Sequence, residues 1–199
     1  MTILEELGLL KMDFLGLRTL TVIHDAEEMV KENRGITVKY DENMQDPKVY
    51  KLWSDGDSCG IFQFESAGMT SFMKELKPDR LEDLIAGVSL YRPGPMDQIP
   101  RYIKAKNNPS ATEYTHPILE PILNVTYGCM VYQEQVMQIV RSVAGYSLGR
   151  ADLVRRAMGK KKLDVMAEER KNFIYGLEDE NGNVISPGAI RNGVDERSA

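Results

Sequence analysis

Residues 155–162 read RRAMGKKK: five of eight are cationic and none is acidic, in a chain whose formal charge is −5. The preceding residues predict a helix capped by Ser147, with Leu148, Ala151, Val154 and Met158 on one face. Arg155 falls on the shoulder of that face and Arg156 points well away from it. Gly159 closes the helix, and Lys160, Lys161 and Lys162 follow. One or two cations at a helix C-terminus complement its dipole, but five together repel one another, and a bound polyanion relieves the repulsion. The chemistry this suits is a grip on phosphate; the plain alternative is a solvated helix end. Residues 150–171 carry +4, so the remainder of the chain carries −9. That asymmetry suits a local anion site on an acidic body.

Four other places have residue types suited to chemistry. Arg92 in YRPGP lies between a helix end and a Pro-Gly-Pro turn that restricts its backbone; it either faces a ligand or caps its own helix. Tyr132, Gln133 and Glu134 in VYQEQ lie where a strand becomes a helix, which suits either ligand contact or an ordinary first turn. Asp13 in KMDFLG sits inside an apolar run, which requires a metal or a charged partner, and Lys11 lies on the same face of an extended chain. Asp55 and Asp57, flanked by Ser and Gly, read as a solvated turn and not as a metal site.

The elements that must carry these residues follow from periodicity. Residues 9–14 suit a buried strand, and a helix runs from about Leu17 to Gly35. An extended link leads to a short helix beginning at Asp46-Pro47 and closing at an Asp-Gly turn. CGIFQFES predicts a short strand. Helices follow, one from Ser66 to Pro78 and one capped by Asp79 that ends before Arg92. Residues 96–117 read as polar loop, HPILEPIL as a short helix, and residues 124–147 as turn, short strand and helix from about Gln133. In that helix Val136, Val140 and Val143 form the apolar face, opposite Glu134, Gln138 and Arg141. One more helix covers LDVMAEERKNFIYGLE, and the tail holds an Asn-Gly turn and a helix start near Ser186-Pro187. The tail reads as if the chain were cut inside a larger protein.

Composition bounds the class. The chain has 199 residues, of which 42% are hydrophobic and 28% charged, enough to bury a core. No apolar run approaches the roughly 20 residues of a membrane span, and the acids of the first residues do not suit a secretory signal. Cys59 and Cys129 lie in apolar contexts and read as buried free thiols of a reducing compartment; two distant histidines make zinc improbable.

Five stretches in order resemble one family: GLLKMDFLGLRTL, GIFQFESAGM, YRPGP, TYGCMVYQEQVMQI and GYSLGRADLVRRAMGKKK. Together they are similar to the alpha subunit of bacterial DNA polymerase III, a C-family replicative polymerase, from about residue 7 to about residue 175. The resemblance implies an α+β, mostly helical fold. A strand–helix end of a polymerase-beta-like palm (residues 1–24) would precede a multi-helix fingers domain with a few short strands (residues 25–199). It also implies a nucleotidyltransferase using Mg²⁺, with Asp13 matching one metal-binding aspartate of the palm and Lys11 the neighbouring lysine. The upstream Asp-x-Asp pair of the family is absent, and Asp55/Asp57 do not match it.

On that resemblance the fingers hold the incoming dNTP and help position primer-template DNA. Arg155, Arg156, Lys160 and Lys161 would meet the triphosphate with Arg92 in support, while Tyr132, Gln133 and Glu134 line the nucleotide pocket or hold the fingers helices. The fragment alone would be inactive and would bind Mg²⁺ poorly. Other replisome subunits would be met through regions elsewhere, with no membrane and a cytoplasmic location. A reading from a different class is a non-catalytic nucleic-acid or protein interaction module using residues 150–171.

Overall fold

The computed structural model describes residues 4, 6–10, 12–40, 42–159 and 163–199. The chain divides into two compact units, Met1–Asp46 and Pro47–Ala199. Lys11, Lys160, Lys161 and Lys162 lie outside the described residues.

The first unit is built on helix α1 (Arg18–Arg34). It ends as expected: Gly35 takes the left-handed conformation (φ 66°) and its N–H reaches the Lys31 carbonyl. The Tyr40 hydroxyl binds the Glu27 carboxylate. The strand expected over residues 9–14 does not form among the described residues, and Phe14 and Leu15 are 90% and 95% exposed. Apolar content favours a strand only where a neighbouring strand completes its hydrogen bonds, and the described part of this unit offers a helix instead. Asp13 is accordingly exposed, not set in an apolar strand.

The second unit is mostly helical. Helix α2 (Pro47–Asp55) has proline at its first position. Helix α3 (Ala67–Leu76) is capped by Ser66, whose Oγ accepts from the Met69 N–H at 3.2 Å. Helix α4 (Leu81–Leu90) departs from expectation at its start. Asp79 does not cap it; instead Asp83, in the first turn, accepts the Asp79 N–H at 3.1 Å. Helix α5 (Ile99–Asn107) occupies what read as polar loop. Pro100 falls in its first turn, where the missing N–H of proline has no partner to lose. These helices enclose a core of Trp53, Phe64, Phe72, Met73, Leu90 and Tyr102.

CGIFQFES is not a strand. It folds as successive turns, with Gln63 at φ 68° and the Ser58 hydroxyl donating to the Phe64 carbonyl at 2.8 Å. Residues 130–132 likewise pair with no strand. Cys129 is buried, whereas Cys59, carried on the turns, is exposed, against expectation.

Helix α6 (Glu120–Leu123) leads through a 3₁₀ turn, Asn124–Thr126, towards α7 (Gln133–Ala144). Then come α8 (Leu148–Gly159), α9 (Leu163–Tyr175), a two-stranded antiparallel sheet of β1 (Leu177–Glu178) and β2 (Val184–Ser186), and α10 (Gly188–Arg191). Ser147 caps α8 as predicted, its Oγ accepting the Arg150 N–H at 3.2 Å. Val140, Ala144, Tyr146, Ala151 and Val154 form a second core, and Val143, Ala189 and Val194 a third. One polar clamp joins α8 to α9. Arg150 Nη2 lies 2.7 Å from Glu169 Oε1 and stacks over the Tyr146 ring, and the Tyr146 hydroxyl donates to Glu169 Oε2 at 2.9 Å. Burial, helped by that bond to Glu169, pushes the Tyr146 phenol up to about 12. The tail is tied back: Asn192 Nδ2 donates to the Val143 carbonyl at 2.8 Å.

Candidate functional site

The turn after α4 fixes Arg92. The Tyr91 N–H closes on the Gly87 carbonyl and the Arg92 N–H on that of Leu90, so the helix end is satisfied by backbone. Gly94 then takes φ 107°, ψ −74°, a conformation that a side chain would strain, and Pro95 opens a 3₁₀ turn, Pro95–Gln98. The Arg92 guanidinium is exposed and has no hydrogen bond or ion pair among the described residues, so it does not cap α4.

Opposite stands the segment entering α7, whose shape is set by two buried polar side chains. Gln135 Oε1 accepts the N–H groups of Val131 and Tyr132, each at 2.9 Å. Its Nε2 donates to the Ile122 carbonyl at 3.2 Å and to Thr126 Oγ1 at 2.7 Å. The Thr126 hydroxyl in turn donates to the Cys129 carbonyl at 2.6 Å. Between them the chain reverses at Tyr127 and Gly128, both with positive φ; a Cβ at Gly128 would lie 2.7 Å from the Glu113 carbonyl oxygen. The fully satisfied amide of Gln135 presents Tyr132, Gln133 and Glu134 as a fixed wall.

That wall and the Arg92 turn enclose a cavity of about 300 Å³ lined by Ser89, Arg92, Pro93, Pro95, Val131, Tyr132, Gln133 and Glu134. A second cavity of about 550 Å³ shares Pro95, Val131, Tyr132 and Gln133 and extends to Gln98, Arg101 and Met158. Burial raises the Tyr132 phenol above its ordinary value, and the charges of Asp83 and Glu82 add to this.

Helix α8 meets this wall through Arg155, whose Nη1 donates to Gln133 Oε1 at 3.2 Å. Arg155 Nε and Nη2 bind Asp152 Oδ1 at 2.9 and 2.8 Å, while Arg156 Nε lies 2.7 Å from Asp152 Oδ2. One carboxylate therefore holds both arginines. The hydrogen bonds from Arg155 and the charges of both guanidiniums keep it ionised, below the usual aspartate range. Arg155 is one-third exposed and Arg156 two-thirds exposed.

The predicted residues thus fall into groups. Arg92, Tyr132, Gln133 and Glu134 share one cavity, and Arg155 joins through Gln133. Arg156 lies on the same helix but does not line the cavity. Asp13 belongs to the first unit, and Lys11, Lys160 and Lys161 lie outside the described residues. No group of three or more His, Cys, Asp or Glu side chains able to hold a metal occurs among the described residues. Sequence reasoning missed Asp152, although its i,i+3 and i,i+4 spacing to the arginines was available. It also missed Gln135, whose place at the third position of α7 is that of a capping-box residue.

Residues 19–181 match the family model for the bacterial DNA polymerase III alpha subunit finger domain. The chain belongs to that family. It is 54% identical over 181 residues to the DNA polymerase III subunit alpha of Thermus aquaticus, covering 88% of this chain and 15% of that protein. It is 51% identical over 177 residues to the protein of the same name from Staphylococcus aureus strain COL, covering 88% of this chain and 17% of that protein. The chain therefore spans about a sixth of the length of these relatives. The finger-domain match contains every residue of the 300 Å³ cavity and both Arg155 and Arg156 of α8; Asp13 precedes it and α10 follows it. No helix among the described residues is long and apolar enough to cross a membrane.

Proposed function

We propose that the chain supplies the fingers of a replicative DNA-directed DNA polymerase, and that its second unit receives the incoming dNTP. The reading is carried by one observation: Arg92 and the Tyr132–Gln133–Glu134 wall, from separate segments, enclose one cavity, with Arg155 tied to it through Gln133. Cations there match the charge of a triphosphate, and a rigid wall places the rest of the nucleotide without a reorganisation cost. Arg156 adds charge from the same helix, and Lys160 and Lys161 extend it along the sequence. Asp13 contributes one carboxylate to a Mg²⁺ site completed by other parts of the parent protein, with Lys11 beside it. By itself the chain does not polymerise. Primer-template DNA and replisome subunits are the partners of the whole bacterial enzyme in the cytoplasm.

The test uses the full-length enzyme. Arg92→Ala and Arg156→Ala are each expected to raise the dNTP KM or lower kcat by roughly tenfold, the loss that accompanies removal of a charge-assisted hydrogen bond. Primer-template affinity changes little. Asp13→Asn abolishes metal-dependent extension. If the arginine variants lose only DNA affinity, uniformly across sequences and with a shallower salt dependence, residues 150–171 act as a backbone-binding module instead.

A further inference from the structure

Asp152 holds two neighbouring arginines at once, and it does so unequally. Arg155 spends Nε and Nη2 on Asp152 Oδ1 and Nη1 on Gln133, so all three of its nitrogens are engaged. Arg156 approaches Oδ2 through Nε at 2.7 Å and leaves 62% of its side chain exposed. The first arginine is a strut between α8 and the cavity wall; the second is an arm aimed outward from a fixed base.

We propose that Asp152 is a positioning residue for nucleotide binding: a bracket that fixes Arg155 on Gln133 and sets the direction of Arg156. The inference rests on the reading of α8 as a nucleotide-facing helix. A carboxylate beside a phosphate grip lowers its net charge, so its presence has to be justified by geometry. Two adjacent guanidiniums repel each other and, without a shared anion, spread over many rotamers. Bridged by one carboxylate, they keep a single arrangement before the ligand arrives, which is the condition for specific recognition. The bracket also limits what else the helix binds. A bare Arg-Arg pair beside three lysines would attract any polyanion, including nucleic acid at random.

These two effects of removing the carboxylate have opposite signs, and that makes the proposal testable in the full-length polymerase. Asp152→Ala is expected to raise the dNTP KM about tenfold, while it tightens binding to non-specific DNA and steepens the salt dependence of that binding. Arg155→Ala combined with Asp152→Ala is expected to be no worse than the more damaged single variant, because the two residues act as one unit. Tighter DNA binding follows from the lost negative charge alone; the rise in dNTP KM and its coupling to Arg155 are what a merely electrostatic role would not give. A lower KM in Asp152→Ala would make Asp152 a competing anion and overturn the bracket, as would fully additive losses in the double variant. Arg156→Ala is run alongside. If it raises KM or lowers kcat while Asp152→Ala leaves KM unchanged, only the bracket fails; if Arg156→Ala leaves both KM and kcat unchanged, the nucleotide reading of α8 itself fails.

Discussion

Asp83 and Asp152 each hold two cations, yet they sit in opposite environments. Asp83 is fully buried on α4, with Lys106 Nζ at 3.3 Å, Arg80 Nε at 3.5 Å and the Asp79 N–H at 3.1 Å. The Lys106 side chain is itself only 8% exposed. Arg80 continues outward to the Tyr127 hydroxyl at 2.6 Å and so ties the knot to the turn before α7. Asp152 lies at the surface, and its partners keep much of their exposure. The same chemistry serves two ends. Where water is excluded, losing a partner is costly; where water competes, the ion pair adds little to stability, and its use is to orient the two guanidiniums.

The strongest way to break the comparison is at the buried end. Asp83→Ala removes the buried carboxylate from Lys106, whose ammonium keeps only the Lys77 carbonyl at 3.1 Å and the exposed Asp79 carboxylate at 3.6 Å, and it orphans the Asp79 N–H. The expected destabilisation is about 3–5 kcal/mol, measured by denaturant unfolding of the chain. Replacing both partners, Asp83→Leu with Lys106→Met, is expected to recover much of that loss, since the charges left without them, Arg80 and Asp79, are reached by water. If the single variant costs no more than a surface substitution, Asp83 is not the anchor that its burial implies.

Gln135 lies between the two regions, and its removal sharpens the contrast. Gln135→Leu fits the space but leaves the Val131 and Tyr132 N–H groups and the Ile122 carbonyl without their partner. About 2–3 kcal/mol of stability is expected to be lost, less than for a stranded charge. Hydrogen exchange should localise the damage, with the Val131 and Tyr132 amides losing protection while those in the middle of α3 keep theirs. Uniform loss of protection would mean that Gln135 supports the whole unit and not the cavity wall in particular.

How much of this was legible in the sequence depended on how local each signal is. The caps at Gly35, Ser66 and Ser147 were readable because a cap needs only its own turn. The α5 helix lay within residues that read as polar loop; its Pro100 is tolerated because it falls in the first turn. The three expected strands failed for one shared reason. An apolar or alternating run states a preference for extended backbone, while a ladder requires a partner that no single segment encodes. At the site, the residues themselves were readable from charge and junction position. Their convergence was not, since the Arg92 turn and the Tyr132 wall meet only through the packing of α4, α5 and α7. The Asp83 knot was the least visible part: nothing in DRLEDLIAG indicates that the last of its three acids, Asp83, is dry while Asp79 and Glu82 are exposed.

The smallest effect separates the two carboxylates by pH. Asp152 is held below its ordinary pKa, chiefly by the hydrogen bonds from Arg155 and then by the two guanidinium charges. A depressed carboxylate contributes stability that is present above its unfolded value of about 3.9 and is lost as pH falls through the lower folded value. The difference in stability between the parent chain and Asp152→Asn should therefore be small and flat across neutral pH, and should close only below the ordinary carboxylate range. High salt should shrink it further at every pH, because both arginines are reached by solvent ions. A difference that grew on acidification would have the wrong sign for an ion pair. A difference indifferent to salt would place Asp152 with Asp83, as a buried structural charge, and would remove the distinction between bracket and knot.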